Sequence, residues 1–265
     1  HTIGYVGQIS SEQLKIPKYS LYDPTDLLGK AGIEQEYEEL LKGENGKQLI
    51  EVDALGNPVR LLGQTEPVSG KDIQLTLDIR LQEATYKAME QVKKGVVIVS
   101  TPEGEILSMV SKPSFDPNLF TLDSGYKVSS RSGYTKVSDI LLDGENQPLL
   151  NRSISGTYPP GSTFKIITAA SGLEQKVIDG SYTITDNGII KIGPYSFSNW
   201  YYTQYGRTEG PVNVVKSISR SNDIFFYKLA EMLTVKRLSE TAAEFGVGQV
   251  LGIDLVGEET GILPT

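Results

Sequence analysis

The chain has 265 residues, 38% apolar and 22% charged, a balance that fits globular packing in one large domain or two unequal ones. Its net charge of −8 argues against nucleic acid as a partner, since phosphate binding needs a basic footprint. With no cysteine, disulfides and thiolate metal sites are excluded, and no apolar run approaches the ~20 residues of a membrane span or has the form of a signal peptide.

The opening HTIGYVG starts mid-pattern without an initiator Met, so an anchor is expected upstream of it. Residues 34–42, EQEYEELLK, read as a short amphipathic helix with Tyr37, Leu40 and Leu41 along one face. QLIEVDALGNPVRLLG (48–63) alternates apolar and polar around Gly56-Asn57-Pro58 and predicts a hairpin. Turn residues cluster in EPVSGK (66–71), which divides a small accessory segment, 1–69, from a larger domain, 70–265. The following stretch, DIQLTLDIRLQEATYKAMEQVKK, resolves into a strand-like piece and a helix ending near Gly95. GVVIVSTPEGEILSMVS (95–111) is the clearest hairpin: two β-rich runs flank Thr101-Pro102-Glu103-Gly104, with Pro and Gly at the second and fourth positions of a type I turn. Residues 121–150 are polar and weakly patterned and predict a long loop or insertion. Helical signals return over 162–174 and 212–233, the second broken near Ser221-Asn222-Asp223.

YPPGSTFK (158–165) carries the first candidate chemistry. Pro159, Pro160 and Gly161 cannot continue a helix from upstream, so Ser162 falls at or next to a helix start. Unpaired backbone N–H groups and the positive dipole end favour an alkoxide or a carbonyl oxyanion there. One turn on, Lys165 shares the serine's face. Ile166, Ile167, Ala169, Ala170 and Leu173 make the helix apolar almost all round. Burial is therefore expected, with the lysine charge costly and its amine neutral in the free protein. Such a lysine is a workable general base for a serine nucleophile. The only histidine, His1, is a poor candidate for the imidazole of a Ser-His-Asp triad. The competing reading is structural: Ser162 as an N-cap and Lys165 as a snorkelling surface residue.

SRSNDIFFYKLAEML poses a companion question. On a continuous helix Ser221 and Asp223 would point to different sides. Serine, asparagine and aspartate form turns and caps, so the prediction is a helix to about Ser219, a tight turn at 220–223, and a second helix. In a turn both side chains can face one cleft: Ser221 to relay a proton to or from Lys165, Asp223 to bond the lysine ammonium or a substrate amide. An N-cap at Asn222 or Asp223 would account for the same residues without any chemistry.

Together, S-x-x-K and then S-x-[ND] resemble the penicillin-interacting serine enzymes, whose third motif is K-[ST]-G. The resemblance extends through HTIGYVG, GKAGIEQEYEELLKG, VDALGNPVR, QLTLDIRLQEATYKAM, GEILSMVSKPSFDPNLF, NRSISGTYPPGSTFK, SNDIFFYKLAE and GIDLVGEETGILPT. Outside 121–150 the chain is similar to class B penicillin-binding proteins, and SNDIFFY resembles the penicillin-binding protein 2 (elongation) branch. This resemblance implies an α+β, β-lactamase/transpeptidase-like fold, with an incomplete antiparallel sheet, a helical cluster and a small N-terminal pedestal segment. It implies a peptidoglycan D,D-transpeptidase with catalytic Ser162 (nucleophile), Lys165 (base), Ser221 (proton shuttle) and Asp223 where Asn is common. The implied ligands are D-Ala-D-Ala stem peptides and β-lactams, the implied partner a SEDS-type glycosyltransferase, and the implied location the outer face of the bacterial membrane.

Two departures qualify the match. No K-[ST]-G occurs; Glu259-Thr260-Gly261 has the wrong first residue and lies in the segment that precedes that motif in the family. The chain is thus expected to lack the strands that complete the sheet begun at 95–111, leaving an edge that a second chain carrying the remainder could fill. Some elongation-branch members carry a zinc site built from His and Cys near the second motif, which this chain cannot supply, and no cofactor is expected. A serine β-lactamase and a non-catalytic β-lactam-sensing scaffold are the rival readings. Against the first stands the absence of an E-x-x-L-N-like stretch after Ser221.

Overall fold

A computed structural model describes residues 1–121, 125–129 and 131–264. The chain forms two compact units, His1–Gly156 with Ile253–Glu258, and Thr157–Gly252 with Glu259–Thr265. Among the described residues no helix is long and apolar enough to cross a membrane.

In the first unit, β1 (Tyr5–Gln8) pairs antiparallel with β2 (Leu27–Ala31). The helix expected over 34–42 is two short ones, α1 (Gly32–Glu36) and α2 (Glu38–Leu41), broken at Tyr37 with φ −104° and ψ 20°. Its buried face also differs: Ile33 and Glu38 are buried, whereas Leu40 is 41% exposed. The reason is polar. The Glu38 carboxylate accepts from Gly29 N at 2.7 Å and Tyr22 Oη at 2.8 Å, partners from upstream that satisfy a buried acid.

The two predicted hairpins form. β3 (Lys47–Val52) pairs with β4 (Pro58–Thr65), their turn held by Asp53 Oδ1, which accepts from Leu55 N and Asn57 N at 2.8 and 2.9 Å. β5 (Gly95–Ser100) pairs with β6 (Ile106–Lys112), and Gly104 N closes the turn on Thr101 O at 3.1 Å. Residues 72–77 form no strand; Thr76 Oγ1 and Asp78 N instead bond Ile106 O and Leu107 O. α3 (Ile79–Ala88) starts on the Asp78 cap and stops short of Gly95. Gln82 ties it to β6, accepting from Ser108 Oγ and Met109 N and donating to Met109 O, each at 2.9 Å. The expected loop at 121–150 contains α4 (Val137–Leu142), which buries Ile140; residues 122–124 and 130 lie outside the described residues. Ile33, Met109, Ile154 and Leu255 form this unit's apolar core.

The second unit is a helical cluster with small antiparallel pairs. It comprises α5 (Phe164–Glu174), β7 (Thr183–Asp186), β8 (Ile189–Ile192), β9 (Tyr195–Ser198), α6 (Trp200–Tyr205), β10 (Gly210–Asn213), α7 (Val214–Ser219), α8 (Asp223–Met232) and α9 (Val235–Glu244). β10 pairs with β7 and β8 with β9. Phe225, Phe226, Leu229, Val212 and Ala169 anchor its core. α5 is not buried all round: Ile166 and Leu173 are 57% and 42% exposed. Its buried face is the small one, Thr168, Ala169, Ser171 and Gly172. A Cβ on Gly172 would lie 2.8 Å from Leu229 Cδ1, so close approach of α5 to α8 selects small residues at that contact.

Candidate active site

Gly161, at φ +54°, opens a single 3₁₀ turn, Gly161–Thr163, that delivers exposed Ser162 to the head of α5. Lys165 stands one turn below it with a side chain only 15% exposed. Facing them is the turn between α7 and α8. It ends the first helix at Ser219 and starts the second at Asp223, as the turn formers predict. Ser221 sits there at φ +49°, a left-handed conformation costing a non-glycine residue about 1–3 kcal/mol. Two backbone bonds enforce it, Ser221 N to Ile218 O (3.1 Å) and Asn222 N to Ser217 O (2.9 Å).

That backbone twist aims Ser221 at both members of the first motif. Its Oγ lies 2.9 Å from Ser162 Oγ. Lys165 Nζ lies within hydrogen-bond reach of three oxygens of this turn: Ser221 O at 2.8 Å, Ser221 Oγ at 3.1 Å and Asp223 Oδ1 at 2.5 Å. The structure therefore brings Ser162, Lys165, Ser221 and Asp223 together, and the contact between Ser162 and Lys165 runs through Ser221. The expected apolar cage around the lysine is corrected to a paired one: a carboxylate and two serine oxygens, with the Phe226 ring centroid 5.7 Å away. Sequence offers these partners as one reading of the turn, beside a purely capping one, but no local pattern fixes them, because they arrive 56 to 58 residues later in the chain. His1 has no part here; its ring bonds Pro148 O at 2.6 Å in the first unit.

Residues that sequence did not single out, Trp200, Arg220, Glu209, Asp186 and Asn199, complete the surround with Asn222, which it offered as a cap. Asp223 Oδ2 accepts from Trp200 N at 3.2 Å, and Trp200 Nε1 donates to Arg220 O at 2.8 Å. The Arg220 guanidinium bonds Glu209, which raises its pKa further, and lies over the Trp200 and Tyr201 rings at 5.3 and 5.1 Å. Behind the turn, buried Asp186 accepts from Asn199 Nδ2 and Asn222 Nδ2, both at 2.8 Å. The only sequence signal for this cluster is the capping type of Asn199 and Asn222 ahead of apolar runs.

The cluster does not fit zinc. Both carboxamide oxygens are taken, Asn199 Oδ1 by Asp223 N and Asn222 Oδ1 by Phe225 N, and both carboxamide nitrogens are donors to Asp186. Among the described residues no three His, Cys, Asp or Glu side chains are grouped to hold a metal.

Chemically, the arrangement is a hydroxyl at a helix head linked through a second hydroxyl to an amine, the amine oriented by a carboxylate. That is the layout of an activated serine nucleophile. Comparisons with known proteins agree in kind. Residues 94–265 match the penicillin-binding protein transpeptidase domain, and residues 1–75 the penicillin-binding protein dimerisation domain. The chain is 38% identical over 266 residues to the peptidoglycan D,D-transpeptidase MrdA of Acinetobacter baumannii, covering 100% of this chain and 38% of that protein. It is 36% identical over 271 residues to MrdA of Escherichia coli K12, covering 100% of this chain and 41% of that protein. Among solved structures, PBP2 of Helicobacter pylori in complex with MreC superposes with a TM-score of 0.79 at 33% identity, over 100% of this chain and 46% of that one. PBP2 of Pseudomonas aeruginosa in complex with WCK 5153 gives 0.72 at 34%, over 100% and 52%. The chain thus spans about two fifths of the length of the curated relatives it matches. Its fold is the transpeptidase/β-lactamase-like one, with helices and small antiparallel sheets. By the 94–265 match and these likenesses, the chain belongs to the penicillin-binding protein transpeptidase family.

Proposed function

We propose that the protein is a peptidoglycan D,D-transpeptidase in which Ser162 is the nucleophile, Lys165 the base, Ser221 the proton shuttle and Asp223 the residue that orients the amine. The observation that carries this reading is the unbroken path from Ser162 Oγ through Ser221 Oγ to Lys165 Nζ. Ser162 Oγ attacks the penultimate D-Ala carbonyl, and its proton passes through Ser221 to the lysine amine. The resulting ammonium has three oxygens within reach of its donors, Ser221 O, Ser221 Oγ and Asp223 Oδ1. As the peptide bond breaks, the proton returns by the same path to the departing D-Ala nitrogen, leaving a Ser162 ester. An amine of a neighbouring stem then takes the acyl group and releases the serine. β-Lactams acylate Ser162 in place of the stem.

In this reading residues 1–69 belong to a non-catalytic pedestal and 70–265 to the catalytic domain. The protein works at the outer face of the membrane beside a glycan polymerase of the SEDS type. A relative solved in a peptidoglycan synthase complex that coordinates polymerization and crosslinking supports a polymerase partner. The test is D-Ala release from a D-Ala-D-Ala pentapeptide by the full-length protein, with and without an acceptor amine. Release coupled to cross-linked product, and lost in Ser162→Ala, is expected; release that survives Ser162→Ala would refute the assignment.

A further inference from the structure

We propose that Asp186 is a positioning residue for this chemistry, fixing the Ser221–Asp223 turn from behind; the inference rests on the transpeptidase reading. Asp186 is 1% exposed, and its hydrogen-bond donors among the described residues are carboxamides and backbone amides. Its Oδ2 takes Asn199 Nδ2 and Asn222 Nδ2 at 2.8 Å and Glu209 N at 3.3 Å; its Oδ1 takes Gly188 N at 2.6 Å. One carboxylate thereby joins the end of β7, the loop into β8, the start of α6, the approach to β10 and the cap of α8.

Two of those bonds bear on the site. Asn222, held by Asp186, caps α8 through Phe225 N at 2.9 Å and stands between Ser221 and Asp223. Asn199, held by Asp186, accepts from Asp223 N at 3.3 Å and directly precedes Trp200, whose N–H meets Asp223 Oδ2. Asp223 is thus fixed through backbone and side chain by groups that Asp186 orders, and Lys165 takes its orientation from Asp223. The left-handed Ser221 needs such enforcement, because a strained residue persists only where its surroundings over-determine it. Neutral donors can do this without setting a further cation against the turn that holds Asp223. A buried, fully bonded network of this kind specifies one geometry.

Asp186→Asn keeps the shape but sets an NH₂ or an uncharged oxygen against donors from Asn199, Asn222 and Glu209. The test is stopped-flow acylation of the full-length protein by benzylpenicillin, with the adduct counted by mass. Wild type labelled at Ser162 upholds the transpeptidase reading; wild type left unlabelled overturns that reading and this proposal with it. Given labelling, Asp186→Asn is expected to lower the acylation rate constant about 10–100-fold, at full final stoichiometry and with the pre-acylation dissociation constant unchanged. A variant that reacts at the wild-type rate but with a reduced labelled fraction would show a merely structural role and overturn the proposal. Should Asp186→Asn fail to fold, Asn199→Ala decides: the same loss of rate at full stoichiometry supports the proposal, and a wild-type rate overturns it.

Discussion

At the scale of single residues, Ser221 carries two burdens at once, a left-handed backbone and a hydroxyl bridging Ser162 to Lys165. The two separate under substitution. Ser221→Gly removes the strain and the shuttle together, so the variant is expected to gain up to about 1 kcal/mol in stability while benzylpenicillin acylation falls about 100-fold. Thermal melts beside acylation rates check this, and a loss of both would contradict the account of the strain. Lys165→Met keeps the stem and removes the amine; acylation is expected to drop about 10²–10⁴-fold, measured by the same kinetics. The residue types were legible in the sequence: a serine after Pro-Pro-Gly, a lysine one turn on, a later Ser-Asn-Asp. The lysine's pairing with Ser221 and Asp223 was legible only as one option for that turn, since apolar neighbours along its own helix predict a dry cage and do not fix an acid arriving from another.

Among the elements, the break between α7 and α8 was legible because serine, asparagine and aspartate compete with the helix for their own backbone. The buried face of α5 was not. Large apolar side chains dominate its pattern, yet the contact with α8 is made by its small ones. Gly172→Ala places a methyl 2.8 Å from Leu229 Cδ1 and 3.1 Å from Ile178 Cγ1, both in the core, and is expected to destabilise the fold by about 1–3 kcal/mol in urea unfolding. The start of α3 makes a pH prediction. Asp78 is held down to about 2 by its hydrogen bond from Arg80 and by the N–H groups of Arg80 and Leu81. A carboxyl depressed from its ordinary 3.8 stabilises the fold above that ordinary value, and the contribution fades as pH falls towards about 2. Asp78→Ala should therefore melt below wild type at pH 6, with the gap closing between pH 4 and pH 2. A gap that stays constant to pH 2 would show that the carboxylate's charge is not what caps the helix.

Over the whole molecule, family membership was legible because its signal is spread along the chain, in hairpin turns, cap residues and two motifs in a fixed order. Beyond the proposed pairing of Lys165 with the Ser221–Asp223 turn, sequence could not give the couplings across segments. Glu38 reads as one face of a polar helix until Tyr22 and Gly29 reach it, and Asp186 as a turn former until Asn199 and Asn222 converge on it. Such partners lie 9 to 36 residues away, beyond any local periodicity. The central claim is that the amine of Lys165, working through Ser221, makes Ser162 an acylating nucleophile. Its most direct measurement is the intact mass of the full-length protein after benzylpenicillin, with the modified peptide mapped over time. The account predicts one penicilloyl group on Ser162 that persists for many minutes and is absent from Ser162→Ala; no adduct, or an adduct on any other side chain, would contradict it.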